Sequence, residues 1–163
     1  MADPKRLDIL KKLTAHLQTI TVANGYSHEL ATAVFRGRTV FDDQYPVPML
    51  SILESPRALE TIATSDFQAR KDEWQLLVQG WVTDDQVNPT DPAYLLADDV
   101  EKCLTRLITT TNDGSGRDQY PAEYLLGRSI AAITFGPSIV RPPIEQVSSK
   151  AFFYLPVTLT LAT

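Results

Sequence analysis

The stretch from Lys71 to Ile108 constrains the fold of this chain more than any other part of the sequence. It begins with a strand-like run, Trp74 to Val82, and passes through an acidic turn to Asp91 and Pro92, which suit the cap and first position of a helix. Apolar residues then recur every three or four positions, on one helical face: Leu96, Val100, Cys103, Leu104, Leu107 and Ile108. A strand followed by such a helix predicts a sheet covered by helices.

The flanking segments extend this pattern in both directions. The apolar residues between Leu7 and Ile20 are spaced for one face of a first helix. Further strands are predicted at Val34–Phe41, at Met49–Leu53, at Ser129–Val140 with an interruption at Gly136-Pro137, and at Ala151–Leu161. Within the last of these, Pro156 favours an edge or bulged position, because proline cannot donate to a strand ladder.

These elements predict a single domain across residues 1–163. Its class is α+β, with a mainly antiparallel sheet of about five strands, two helices on one face and the order α-β-β-β-α-β-β. Hydrophobic residues make up 44% and charged residues 21%, which is typical of a folded globular protein.

The charge balance disfavours several classes of partner. The 20 acidic and 15 basic residues give a net charge of -5, so the chain has no electrostatic footprint for tight nucleic-acid binding. No apolar run approaches the roughly 20 residues of a membrane span, and we expect no membrane partner. A single cysteine, Cys103, excludes an internal disulfide and favours folding in a reducing cytoplasm.

Reactive constellations are weak in this sequence. His16 and His28 lack a second ligand at metal-binding spacing, so we expect exposed or locally hydrogen-bonded histidines, and Cys103 lies on an apolar stripe that favours core packing. The aspartate pairs Asp42-Asp43, Asp84-Asp85 and Asp98-Asp99 are usual in solvated turns or faces. We therefore expect no catalytic residues, metal or cofactor. A small metal-dependent hydrolase using Asp84 and Asp85 stays open as an alternative.

Several residues are candidates for protein contacts. Arg36 and Arg38 alternate along a strand and would project their guanidinium groups to one side, where a carboxylate across a subunit boundary can pair with them. Trp81 lies on the strand face opposite Trp74 and is an aromatic anchor if exposed; burial against a helix is the alternative. Two long polar segments, 54–70 and 111–128, are candidate docking arms that carry Arg57, Arg70 and Arg117.

Several motifs in a fixed order resemble a known family. They are Arg36-Gly37-Arg38, Pro46-Val47-Pro48-Met49-Leu50-Ser51-Ile52-Leu53-Glu54, Glu73-Trp74 to Gly80-Trp81, Asn88-Pro89-Thr90-Asp91-Pro92-Ala93, and Val140-Arg141-Pro142-Pro143 followed by Ala151-Phe152-Phe153-Tyr154-Leu155-Pro156. Together they cover most of the chain and resemble the tail terminator, or tail completion, proteins of tailed bacteriophages.

The resemblance implies a structural virion protein without catalytic residues. Such a protein forms a homohexameric ring on the head-proximal end of the tail tube, stops tube polymerisation and offers a joining surface to the neck or head–tail connector. Its partners would be its own copies, the tail tube protein and the connector, while DNA passes through the lumen without specific binding. It would be made in the host cytoplasm and reside in the virion. Another neck or head-completion protein is the nearest alternative.

Overall fold

A mixed, mostly antiparallel sheet of six strands, a separate two-stranded sheet and three α-helices are the main elements of the part of the chain that can be described. The computed structural model describes residues 3–37, 48–54, 73–83, 85–112, 114, 116, 118–141 and 151–161. The elements are α1 (Lys5–Leu17), β1 (Val34–Arg36), β2 (Met49–Glu54), β3 (Glu73–Val82), α2 (Asp91–Thr105), β4 (Thr111–Asn112), β5 (Asp118–Gln119), α3 (Leu125–Arg128), β6 (Ile130–Phe135), β7 (Ile139–Arg141) and β8 (Ala151–Leu161). The predicted α+β class is confirmed.

The long strand β8 organises the sheet. The strand order is β1-β2-β3-β8-β6, and β7 also pairs with β8, beside β6. All pairs are antiparallel except β1 with β2, which run parallel. The predicted strand Ser129–Val140 is thus β6 and β7, separated at Gly136-Pro137 as the sequence indicates. Both halves pair with the same edge of β8.

Pro156 lies in a central strand, so an edge position, one of the two predicted alternatives, is wrong. Phe135 is opposite Val157 and Ile139 is opposite Tyr154, so three residues between β6 and β7 face two residues of β8. The carbonyl oxygen of Pro156 accepts a hydrogen bond of 3.0 Å from the Gly136 amide at this break. The nitrogen of Pro156 faces the same irregular side, where a bulge replaces the regular ladder.

One face of the sheet is covered by α1 and α2. Trp74, Leu76 and Val78 of β3 share this face with Leu155, Val157 and Leu159 of β8, and all of them are buried. The guanidinium of Arg6 in α1 lies 5.2 Å from the centre of the Trp74 ring, and α2 packs against β3 and β8. The buried side chains form a hydrophobic cluster between this face and the helices.

Gly80 marks the tightest packing on the covered face. A Cβ atom at this position would lie 2.2 Å from Cε1 of Phe153 and 3.0 Å from Cδ2 of Leu50. Two large side chains from the neighbouring strands therefore fill the space that any other residue would need. The glycine of the predicted strand is explained by this close approach.

The helix boundaries differ slightly from those expected. α2 begins at Asp91 itself, with Thr90 in the cap position and Pro92 in the first turn. α3 is a single turn of left-handed backbone, with φ of 50° at Leu125, 54° at Leu126, 68° at Gly127 and 64° at Arg128. Left-handed residues other than glycine cost about 1–2 kcal/mol each. The region predicted as an irregular arm therefore contains α3 as well as the β4–β5 hairpin.

Candidate assembly surface

The predicted contact residue Arg36 lies at the end of β1, on the covered face. Its Nη1 donates a hydrogen bond of 2.9 Å to Oγ1 of Thr14 in α1, and the side chain stays exposed. An ion pair with another subunit stays a prediction for this residue. Arg38, Arg57, Arg70 and Arg117 lie outside the described residues, so the pairing of Arg36 with Arg38 on one face is not seen.

Trp81 does not offer an exposed anchor, so that prediction is wrong. The side chain is only 1% exposed, and it lies on the face opposite α1 and α2. In register it stands between Met49 of β2 and Phe152 of β8, which are equally buried. Trp81 is therefore buried among large neighbours on its own face and not against α1 or α2. Because it is buried, it is not part of the candidate surface.

Both histidines are bonded to α2, whereas the sequence suggested exposed or local arrangements. The buried His16 donates from Nε2 to the carbonyl oxygen of Cys103, at 2.7 Å. Burial lowers the pKa of His16 and raises the pKa of the Cys103 thiol. The imidazole is therefore held neutral and the thiol protonated, which suits helix packing more than nucleophilic chemistry. The predicted core position of Cys103 is confirmed.

A bidentate ion pair lies beside these groups. Arg106 donates from Nε and Nη2 to the two carboxylate oxygens of Glu123, and from Nη1 to the hydroxyls of Thr19 and Tyr26. Burial raises the pKa of Tyr26, so its hydroxyl stays protonated. This network joins the segments that follow α1 and α2 to the segment before α3, and each of its polar groups has a partner within the chain. Its role is to fix the helix layer.

Asp99 is buried, so the expectation of a solvated Asp98-Asp99 pair holds for Asp98 only. The Asp99 carboxylate accepts from Nδ1 of His28 at 2.7 Å and from the amide of Ser27 at 3.0 Å. The exposed Asp98 pairs with Lys102 at 2.9 Å, as the i,i+4 spacing indicates. The sequence held a signal for this difference, because Asp99 falls on the apolar stripe of α2, between Leu96 and Cys103.

No metal centre is formed by the residues that the structure describes. Within that part of the chain, no three His, Cys, Asp or Glu side chains come together at metal-binding distance. Asp85 instead accepts hydrogen bonds from the amides of Val87 and Asn88, which lower its pKa and close the turn before α2. Its neighbour Asp84 lies outside the described residues. The carboxylate of Asp85 thus stabilises the turn.

The second face of the sheet is partly uncovered, and this open face is the candidate functional surface. Alternation along the strands places on it the exposed or half-buried residues Phe35, Leu53, Glu73, Gln75, Leu77, Ala132, Thr134, Ile139, Arg141, Tyr154, Pro156, Thr158 and Thr160. Glu73 is opposite Thr160 and Arg141 is opposite Phe152, so the two charged members lie at opposite ends of β8. Among the described residues, those in the middle of the open face are uncharged.

A shallow depression lies in the middle of the open face. It has a volume of about 400 Å³ and is lined mainly by Gln75, Leu77, Ile139, Pro156 and Thr158. Ile139 is 46% exposed although it is large and apolar. The amide of Gln75, the hydroxyl of Thr158 and apolar side chains line the depression, and none of these lining residues is titratable. This composition suits contact with another protein surface better than acid–base chemistry.

The sheet also ends in two unlike edges within the described strands. β1 is one edge, and β6 together with β7 is the other. Strand edges are common sites of pairing between chains. Because the two edges differ in sequence and direction, a contact between them would be head-to-tail rather than two-fold symmetric.

The comparisons with known proteins assign no family to this chain. Neither the protein-family models nor the curated proteins that were searched gave a match. Of the described helices, none is both long and apolar enough to cross a bilayer. The open face and the two edges of the sheet are therefore the features on which a functional proposal rests.

Proposed function

We propose that this protein is a structural virion component that forms a hexameric ring on the head-proximal end of a phage tail tube. In this role it ends tube polymerisation and provides the joining surface for the neck. Its partners are its own copies, the tail tube protein and the head–tail connector, and DNA passes through the ring without specific binding. The motif resemblance is what supports this identity and a ring of six copies.

The open face is the observation that supports an assembly role most directly. Buried protein contacts are depleted of charged residues at their centre and keep polar groups at the rim. The open face has this arrangement, with Glu73 and Arg141 at its two ends and Leu77, Ile139 and Pro156 between them. A shallow centre whose described residues carry no charge favours a protein partner.

The sheet edges support closure of a ring. A head-to-tail contact repeated by rotation closes into a ring when the rotation divides a full turn. A contact between β1 of one copy and the β6–β7 edge of the next would be of this kind. The net charge of -5 supports free passage of DNA through the lumen, because like charges repel the phosphates.

Capping of tail tubes tests the proposal. Tubes are polymerised from purified tube protein with and without this protein, and their lengths and ends are examined by electron microscopy. We expect shorter tubes with a ring at one end. Ile139→Lys, on the open face, should weaken this binding by about tenfold, since a lysine would be desolvated at the contact. Val22→Lys is the matched control, because Val22 is 63% exposed on another element.

The outcomes separate the proposal from its alternatives. A protein that stays monomeric at high concentration and also leaves tube growth and tube ends unchanged contradicts it. Binding to the purified connector without any effect on tubes identifies another neck or head-completion protein. If Ile139→Lys and Val22→Lys bind tail tubes equally well, the contact with the tube does not involve the open face.

A further inference from the structure

The outer side of α2 carries an acidic and apolar stripe. Asp91, Tyr94 and Leu95 are spaced i, i+3 and i+4, which places them on one helical face, and all three are exposed. Tyr94 and Leu95 are 60% and 61% exposed, and Val87 in the preceding turn is 82% exposed. We name these four residues the acidic patch. Exposed aromatic and aliphatic side chains beside a charge are typical of contact surfaces.

A basic counterpart lies around α3. The guanidinium of Arg128 is 5.3 Å from the centre of the Tyr120 ring, and the Tyr120 and Tyr124 rings meet edge to face at 4.8 Å. Lys12 of α1 donates to Oγ of Ser129, the residue after Arg128, and also pairs with Asp8. We name Lys12, Tyr120, Tyr124 and Arg128 the basic patch. Tyrosine and arginine are among the residues most enriched where protein contacts are strong.

The backbone holds Arg128 in place. All four residues of α3 have positive φ, and two i to i−4 hydrogen bonds close the turn, from Arg128 to Tyr124 and from Ser129 to Leu125. The preceding Glu123 is fixed by its ion pair with Arg106. A charged side chain on a restrained turn and stacked on an aromatic ring loses little freedom on binding.

Each patch has one charge without an oppositely charged partner among the described residues. Arg128 makes no ion pair with the described residues, and the carboxylate of Asp91 makes neither an ion pair nor a hydrogen bond with them. By contrast, Asp98 pairs with Lys102, and Asp85 is engaged in the turn before α2. The free charges of the two patches have opposite sign, and both lie beside exposed tyrosines.

The two patches lie at opposite ends of α2. The acidic patch surrounds its first turn, whereas Arg106, just beyond its last residue, binds Glu123 beside the basic patch. The 15 residues of α2 separate these ends by about 22 Å along the helix. A surface that complements another surface on the far side of the same chain makes a head-to-tail contact.

We propose that the acidic patch of one copy binds the basic patch of the next copy, with Arg128 paired to Asp91 and Tyr120 packed against Tyr94 and Leu95. This inference deepens the proposed function and rests on its ring. The occupant is a second copy of this chain, because each patch supplies the charge and the apolar area that the other lacks. The contact is heterologous, and each copy takes part in two such contacts, one through its acidic patch and one through its basic patch.

Charge reversal tests the contact on the full chain. Arg128→Asp and Asp91→Arg are compared with the wild type by sedimentation velocity and native mass spectrometry, up to millimolar protein. Each single variant should weaken self-association by about tenfold or more, because like charges would face each other. An equimolar mixture should recover wild-type association within about threefold. Each reversed patch then meets the oppositely reversed patch, so the mixed oligomers should contain the variants in equal numbers.

Matched controls separate the contact from general charge effects. Lys11→Asp and Asp3→Arg change the charge by the same amounts, at an exposed ion pair outside both patches that contributes little to stability. Urea unfolding verifies that every variant is folded, and Arg128→Glu, which reverses the same charge, replaces Arg128→Asp if the latter is not. We expect both controls to associate like the wild type.

Three results would overturn the contact. The first is that both charge-reversal variants associate as strongly as the wild type. The proposed ring would then form through another surface. The second is a mixture that associates no better than either variant alone. The third is a wild-type chain that is monomeric throughout the concentration range; capping of tail tubes then decides separately whether the proposed function survives.

Discussion

The two faces of the sheet are made by the same strands but differ in burial over part of their area. On β8, Phe153, Leu155 and Val157 point to the helices and are buried, whereas Pro156 and Thr158 point the other way and are exposed or half-buried. The covered face provides the stabilising core. The open face contributes little to stability at its exposed end, and its composition is therefore free to serve a partner.

The open face is itself divided. At the start of β8 it is as buried as the core, with Met49, Trp81 and Phe152 in one row across three strands. Toward the end of β8, Thr160 is half-buried and Glu73, which lies opposite it on β3, is exposed. The comparison teaches that strand alternation alone does not mark a functional face, because burial changes along the strand as well as across it.

The largest expected contrast between the faces is at Phe153. Phe153→Ala should lower the free energy of unfolding by about 3–5 kcal/mol, since it removes a fully buried ring. Thr158→Ala, five residues further on the open face, should cost about 1 kcal/mol or less. Urea denaturation of both variants measures the difference, and comparable losses would contradict the division into a core face and a free face.

Gly80 sharpens the contrast within β3. Gly80→Ala should destabilise the protein by about 1–3 kcal/mol, because the added methyl group collides with Phe153 and Leu50. Gln75→Ala, on the open face of the same strand, should change the free energy of unfolding far less. The loss at Gly80 should shrink when Phe153 is replaced by Leu; an undiminished loss would show that the methyl group meets another obstacle.

The acid sensitivity of the protein should arise on the covered side. Burial lowers the folded-state pKa of His16 below its ordinary value of 6.5, so below this pH the unfolded chain binds a proton that the folded chain does not. Stability from this group is present above pH 6.5 and is lost as the pH falls toward the lowered pKa, by at most about 1.4 kcal/mol per pH unit.

His16→Gln tests this prediction, because a glutamine amide can still donate to the Cys103 carbonyl without titrating. Unfolding free energies of both proteins are measured between about pH 5 and pH 7.5. The variant should show a weaker dependence on pH. Parallel curves for the two proteins would place the acid sensitivity on other groups.

The smallest expected effect on stability is at Thr134 of the edge strand. Thr134→Lys should change the free energy of unfolding by about 0.5 kcal/mol or less, since the side chain is exposed on the open face. The adjacent Ile133→Lys should cost several kcal/mol, because Ile133 is buried on the covered face. Thermal melts compare them. The same Thr134→Lys variant should cap tail tubes poorly if the proposed role of the open face is right.

Much of the fold could be predicted because its signals are local. The alternation in β3 and β8, the stripes of α1 and α2, and the interruption at Gly136-Pro137 each lie within one segment. Local patterns act through neighbours in sequence, so they can be read without the rest of the chain. The parallel pairing of β1 with β2 and the central place of β8 are different, because they depend on segments that are far apart.

The candidate sites were less predictable, because their contacts also join segments that are far apart in the sequence. His16 binds a carbonyl 87 residues away, and His28 binds a carboxylate 71 residues away. A polar residue on an apolar stripe, such as Asp99, indicates that a buried hydrogen-bond partner exists. The stripe does not indicate which residue that partner is. The basic patch is equally hidden, since Lys12 reaches Ser129, the residue after Arg128, only after α1 and α3 have packed together.

The sequence by itself determined the α+β class, the two amphipathic helices and the alternating strands, because these follow from hydrophobic periodicity within single segments. The tertiary structure alone decided that Trp81 is buried, that Asp99 holds His28, and that one end of the sheet's second face stays open. It also placed opposite charges at the two ends of α2. These outcomes depend on which distant segments pack against each residue, and no local pattern carries that information.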